Sequence, residues 1–362
     1  MKRIFVLSNM YPSTDHPTYG IFVKNQVELL QSAGLDVDIS IINNPGKGKM
    51  TTLMKYMSWF FRSFFHMVIN RKKLLLTHAH YAFPTGFISL IGKRLLGIPY
   101  VVTVHGGDID KMAAKSPVIA KLTGRILNGA ASVIVVGEKL REDVISRFGV
   151  AEKRVEVMSM GVDTSIFNKN GKDNVKEVLD LDEDKKVILY VGNIIRAKGL
   201  VELVEAFSIL KNTQSEVSLY LVGSQKDRTF VEELKSVIVE LNVEDIHFKE
   251  PLGQTELARW MSAADVLTVP SYHEGFGLVA LEAMATGTKV VGTDVGGLSY
   301  LLNDRAGILV NPKDSKALAG GLLEALDPES VAIDGAVCDE KVSNHSFDTI
   351  LHKLLKIYEA IE

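Results

Sequence analysis

Val269-Pro-Ser-Tyr-His-Glu-Gly-Phe-Gly-Leu-Val-Ala-Leu-Glu-Ala-Met-Ala-Thr-Gly-Thr-Lys-Val-Val291 reads as the end of a strand, a loop, a helix and the start of the next strand. The strand ends at Val269, the loop holds Glu274, and the helix begins near Gly277 with Glu282 projecting from its second turn. Glycines at 275 and 277 let a ligand approach the backbone, and the helix start offers unpaired amides at the positive end of a dipole. The segment therefore predicts an anion site flanked by two carboxylates, Glu282 suited to a ribose diol and Glu274 to a sugar hydroxyl. The same acids would also suit a solvated helix start, where the dipole favours negative charge.

The alternation continues on both sides. Short β-branched runs at 4–7, 37–42, 74–78, 100–104, 133–136 and 155–158 predict six strands in the first half. Runs at 187–191, 218–222, 246–248, 266–269, 289–293 and 307–310 predict six in the second, with helices such as 22–33 and 200–211 between strands. Strands separated by helices build parallel sheets with right-handed crossovers, so the pattern predicts two doubly wound α/β domains. Boundaries are expected at 1–167 and 168–340, the polar stretch 168–186 being the connection. A last helix, within 341–362, has either domain as a candidate partner and is assigned to the first. Ligands of open α/β sheets sit beyond the carboxyl ends of the strands, so the loops after strands should line a cleft between facing domains.

Composition agrees with two ordinary domains. The chain has 362 residues, 46% hydrophobic and 23% charged, which excludes disordered, collagen-like and coiled-coil classes. Cys338 is the sole cysteine, so internal disulfides and multi-cysteine metal sites are excluded and a reducing cytoplasm is the expected compartment. No uncharged apolar run reaches about 18 residues, and the opening Met-Lys-Arg-Ile-Phe-Val-Leu-Ser-Asn reads as a first strand, not a signal peptide. Residues 1–165 carry a net charge of +9 and the remainder −12, a split that suits an anionic partner for the first half or simple attraction between the domains.

The 269–291 segment resembles the E-x7-E signature of retaining nucleotide-sugar glycosyltransferases of family 4, which share the two-domain GT-B fold. The resemblance implies that Glu282 binds the donor ribose and Glu274 the transferred sugar. The amides of Gly275, Phe276, Gly277, Leu278 and Val279 would hold the diphosphate. It extends over almost the whole chain. Asn9-Met-Tyr-Pro and Tyr19-Gly-Ile-Phe-Val-Lys-Asn-Gln are similar to the family's first loop and helix, with Gly20 near the donor phosphate; a plain turn is the competing reading. Val101-Val-Thr-Val-His-Gly-Gly-Asp resembles the strand and loop that place an active-site histidine, here His105.

Tyr190-Val-Gly-Asn-Ile-Ile-Arg-Ala-Lys-Gly-Leu resembles the family's diphosphate clamp, with Lys198 matching and Asn193 standing where an arginine is usual. Arg196 is the candidate replacement. Catalytic roles would fall on His105, Glu274 and Lys198. Further departures are Gly223-Ser-Gln-Lys, Ser159-Met-Gly-Val-Asp163 and Tyr300, which bear on the sugar or acceptor bound. Asp108-Ile-Asp110 spells the metal motif of the unrelated GT-A fold; no metal and no cofactor is expected, because a helix start and lysine can neutralise a diphosphate.

Residues 47–73 hold Lys47, Lys49, Lys55, Arg62, Arg71, Lys72 and Lys73 without an acid, interleaved with Tyr56, Trp59, Phe60, Phe61, Phe64 and Phe65. Such a helix can lie on an anionic membrane surface, or pack its aromatic face on the sheet. Nucleic acid is a poorer partner, since no binding motif accompanies the patch.

The resulting expectation is a cytoplasmic, membrane-peripheral retaining transferase. It would move a hexose or N-acetylhexosamine from a UDP-linked donor to a sugar or lipid-linked acceptor in polysaccharide or glycolipid synthesis. A nucleotide-sugar epimerase and a non-catalytic sugar-nucleotide-binding scaffold are the alternatives; a phosphorylase would need a pyridoxal phosphate lysine, for which no motif is present.

Overall fold

The computed structural model describes residues 3–14, 16, 18–44, 48–171 and 174–362. The chain divides into two compact units: residues through Met160 together with Phe347–Glu362, and Gly161–Ser346. Each is built on a six-stranded, wholly parallel sheet.

The first sheet contains β1 (Arg3–Ser8), β2 (Val37–Ile41), β3 (Leu74–His80), β4 (Tyr100–Val104), β5 (Ser132–Val135) and β6 (Val155–Val157), in the order β2-β1-β3-β4-β5-β6. Side chains alternate across a strand, and β1 shows why helices must cover both faces. Ile4 and Val6 pack with Val23, Val27 and Leu30 of the Ile21–Ser32 helix. Phe5 and Leu7 pack with Trp59 and Met67 of the Lys49–Asn70 helix on the opposite face. The C-terminal helix, Phe347–Glu359, buries Ile350, Leu354 and Tyr358 against the Ile4 face. Each such side chain contributes on the order of 1.5–3 kcal/mol on leaving water.

The second sheet contains β7 (Lys186–Val191), β8 (Val217–Val222), β9 (Ile246–Lys249), β10 (Val266–Val269), β11 (Lys289–Thr293) and β12 (Ile308–Val310), in the order β12-β11-β10-β7-β8-β9. Its central strands are buried on both faces; Ile188, Tyr190, Leu219 and Leu221 face the helices Leu200–Lys211 and Ser315–Leu326.

The changes of unit fall at 160/161 and 346/347, whereas the sequence suggested 167/168 and 340/341. One main-chain bond and one ion pair account for the difference. The Val162 N–H donates to the His345 carbonyl at 2.9 Å, and Lys169 pairs with Asp339 at 2.6 Å, so 161–171 is tied to the Gly335–Asn344 helix.

Candidate active site

In the second sheet β7 and β10 are neighbours, with β8 beyond one and β11 beyond the other. The chain leaves these two strands toward opposite flanks, and such a switch point opens a crevice at their carboxyl ends. Two loops meet there. After β7, a turn at Arg196–Lys198 leads into Gly199, whose φ of +68° is left-handed. A Cβ on Gly199 would stand 1.9 Å from the Pro270 carbonyl oxygen, so glycine at 199 is what lets the β7 loop lie against the β10 loop. The Tyr272 N–H donates to the Ala197 carbonyl at 3.0 Å and fastens the two.

This approach brings Lys198 and Glu274 together, Nζ to Oε2 at 2.7 Å, both side chains about three-quarters buried or more. Ser271 Oγ stands 3.5 Å from the same carboxylate oxygen, and the Gly275 N–H donates to Oε1 at 3.2 Å. The helix Leu278–Ala285 starts at once, behind Gly277 at φ 94°, with no side-chain cap. The N–H groups of Phe276, Gly277, Leu278 and Val279 have no acceptor among the described residues. Four unpaired amides at a helix start, at the positive end of its dipole, can bind an anion.

Glu282 sits one turn on, four residues from Leu278 and therefore on the same helix face. Its carboxyl has no hydrogen-bond or ion-pair partner among the described residues, and burial pushes its pKa up to about 8. A carboxyl shifted upward holds its proton more readily, and the protonated form can both donate and accept, as recognition of a diol requires.

Two predicted residues do not join this group. Arg196 bonds to Glu233 and lies 5.4 Å from the Phe230 ring centre, both on the Arg228–Glu240 helix, and Glu233 holds its pKa above the ordinary value. Asn193 is exposed, and its carbonyl accepts from the Tyr190 hydroxyl at 2.9 Å. Among the described residues neither side chain is hydrogen-bonded or ion-paired to Lys198 or Glu274. Ser271 and Tyr272, the latter donating to Glu202 at 2.6 Å, belong to the site and were not singled out by the sequence.

The first sheet has its own switch point between β1 and β3. Gly20, at φ 70°, caps the Ile21–Ser32 helix, and a Cβ there would lie 2.6 Å from the Met10 carbonyl, so the β1 loop folds directly onto it. His105 follows β4. Its ring packs against Phe22, Tyr81 and His80, with centroids at 4.8, 4.6 and 5.5 Å. Its Nε2 is 3.3 Å from His80 Nδ1, and burial depresses its pKa to about 3, so the imidazole is neutral.

Asp108 is fully buried and accepts from the backbone N–H groups of Ala82 at 2.8 Å and His105 at 3.2 Å. Burial raises its carboxyl to about 6. Asp110 is on the surface near Arg147, so the two aspartates of the D-x-D string do not converge. Among the described residues no group of three His, Cys, Asp or Glu side chains is placed to hold a metal ion. His80, Tyr81 and Asp108 are the members of this cluster that sequence reasoning passed over or discounted. Tyr81, a non-glycine residue at φ 76°, carried no signal in one sequence.

Residues 171–334 match the family model of glycosyl transferases group 1, and residues 22–166 match that of glycosyltransferase family 4. The chain belongs to this family of GT-B glycosyltransferases. It is 28% identical over 356 residues to the teichuronic acid biosynthesis glycosyltransferase TuaC of Bacillus subtilis, covering 88% of this chain and 87% of the relative. It is 30% identical over 298 residues to a D-inositol 3-phosphate glycosyltransferase of Acidothermus cellulolyticus, covering 78% of this chain and 66% of that protein. Sucrose-phosphate synthase from Thermosynechococcus elongatus shares the fold, with a TM-score of 0.79 at 24% identity and 99% of each chain covered. Anabaena HepE, solved with UDP and glucose, does so with a TM-score of 0.78 at 19% identity, covering 99% of this chain and all of that one.

Proposed function

We propose that this chain transfers a hexosyl or N-acetylhexosaminyl group, with retention, from a UDP-linked donor to a sugar or lipid-linked acceptor in polysaccharide or glycolipid synthesis. The observation that carries the reading is the β7/β10 switch point, where Glu274, paired with Lys198, is followed directly by the unpaired amides of a helix start whose first turn shares a face with Glu282. The amides of Phe276 to Val279 and Lys198 take the diphosphate and stabilise the charge that develops as the glycosidic bond breaks. Glu282 takes the ribose diol, Glu274 a hydroxyl of the transferred sugar, and His105 supports the sugar or acceptor. Gly20 is the proposed donor-side residue of the first unit, where it lets the β1 loop fold onto the helix start. These groups supply the positive field through protein alone, so activity should persist with a chelator present. The UDP preference draws support from HepE, whose solved structure contains UDP, and the polysaccharide setting from the name of TuaC.

The Lys49–Asn70 helix supports a membrane-facing role. Trp59 and Met67 are core, and Tyr56, Phe60 and Phe64 pack against it. Met50, Met54, Met57, Phe61, Phe65 and Ile69 are exposed, and at 100° per residue they share one outward stripe. Arg62, Arg71, Lys72 and Lys73 are exposed on or just after the same helix, a pattern suited to shallow insertion among anionic headgroups at the inner face of the cell membrane. Lys47 lies outside the described residues. No described helix is long and apolar enough to cross a membrane.

The test is release of nucleoside diphosphate and formation of labelled product from a panel of UDP- and GDP-sugars, with the anomer of the product read by NMR. Transfer that collapses in Glu282→Ala supports the proposal. A new nucleotide sugar formed without acceptor, or donor binding without turnover, would replace it with epimerisation or a scaffold role.

A further inference from the structure

His80 ends β3 and pairs in register with Thr103 of β4, and His105 lies two residues beyond Thr103, so all three project from one face of the sheet. His78, two residues before His80, shares that face and is saturated: Nδ1 bonds to the Tyr358 hydroxyl at 2.6 Å and Nε2 to Thr103 Oγ1 at 2.7 Å. His80 is stacked between His78 and His105, at centroid distances of 4.8 and 5.5 Å. Its Nδ1 reaches His105 Nε2, while its Nε2 is buried with no partner. Asp108 joins the chain after each strand through the Ala82 and His105 amides, so the spacing of the two rings is fixed from behind.

We infer that His80 holds His105 in the tautomer that carries its proton on Nδ1, so that His105 meets its ligand as a hydrogen-bond donor and not as a base. The contact between two neutral rings needs one N–H and one lone pair. Desolvation keeps both rings neutral. Were the His80 proton on Nε2, a buried N–H would be left without an acceptor, an arrangement folded proteins avoid more strictly than an unused lone pair. The proton therefore sits on His80 Nδ1 and points at His105 Nε2. That nitrogen must accept, which leaves the His105 proton on Nδ1, a nitrogen with no partner among the described residues. His80 is thus a positioning residue that acts through its neighbour. The identity of the ligand, sugar or acceptor, rests on the function proposed above; the tautomer does not.

Selective 15N-histidine labelling of the full chain and long-range proton–nitrogen correlation read the tautomer directly, with His105→Asn assigning the signals. The expected spectrum has a protonated Nδ1 and a bare Nε2 on His105. His80→Phe keeps a stacking ring without the donor; the His105 proton should move to Nε2 or exchange between nitrogens, and kcat/KM should fall about tenfold. His80→Asn, whose carboxamide nitrogen stands near the place of Nδ1, should restore both. A wild-type His105 protonated on Nε2 would overturn the inference even if His80→Phe fails to fold. So would a folded His80→Phe whose His105 still carries its proton on Nδ1. A chain with the expected tautomer but no transferase activity would leave this inference standing and remove the function proposed above.

Discussion

Replacing Lys198 with alanine removes the only cation that the β7 loop brings to Glu274, since Arg196 is engaged by Glu233 and position 193 is an asparagine. The lysine side chain is 26% exposed, so its contact with a phosphate forms largely out of water. A charge-assisted hydrogen bond of this kind contributes about 1.5–3 kcal/mol, which corresponds to a loss of roughly ten- to 150-fold in kcat/KM. Leaving-group stabilisation strengthens as the bond breaks, so the loss should fall mainly on kcat. Stability should fall as well, because removing one partner of a largely buried pair leaves the Glu274 charge without its cation even though the Gly275 amide remains, so rates are to be compared on protein shown to be folded. Initial rates of nucleoside diphosphate release, with donor and acceptor varied separately, measure both constants, and Lys198→Arg should recover part of the activity. A folded Lys198→Ala enzyme within about threefold of wild type would refute the clamp, because no other described cation touches the Glu274 carboxylate.

Three further outcomes follow from the geometry. Gly199→Ala should destabilise the second unit, since a left-handed alanine costs about 1–2 kcal/mol and its Cβ would stand 1.9 Å from the Pro270 oxygen. A thermal melt and transfer assay indistinguishable from wild type would contradict the close approach of the two loops. Glu282 should make stability fall with rising pH. Its native pKa of about 8 exceeds its ordinary value of 4.5, so over that window the native chain binds a proton that the unfolded chain has released. Glu282→Gln should flatten that slope, and parallel curves of melting temperature against pH for the two proteins would count against a carboxyl whose pKa rises on folding. Finally, Phe61→Glu with Phe65→Glu should abolish co-sedimentation with anionic phospholipid vesicles and leave transfer to a soluble acceptor unchanged; undiminished vesicle binding would remove the membrane assignment.

Most strands lie within a residue or two of the β-branched runs that predict them, because strands buried on both faces must be apolar along their length. The β-branched run at 74–78 stops two residues short of the end of β3, where alternating polar residues break the apolar run and His80 stands. The glycine-bearing loops at 192–199 and 271–277 were legible because close backbone approach demands glycine. The fate of Arg196 was not, for a loop cation takes whatever acid the tertiary fold offers, here Glu233 from a helix some 37 positions away. Likewise the 47–73 stretch announced charge and aromaticity, but only packing divides Trp59, in the core, from Phe61 and Phe65, outside it.

The most direct measurement is a crystal of the full chain soaked with a UDP-hexose. The account places the diphosphate oxygens within hydrogen-bond distance of the amides of Phe276 to Val279 and of Lys198 Nζ, with the ribose on Glu282. Density for the diphosphate at any other surface, with those amides facing only water or protein, would contradict it.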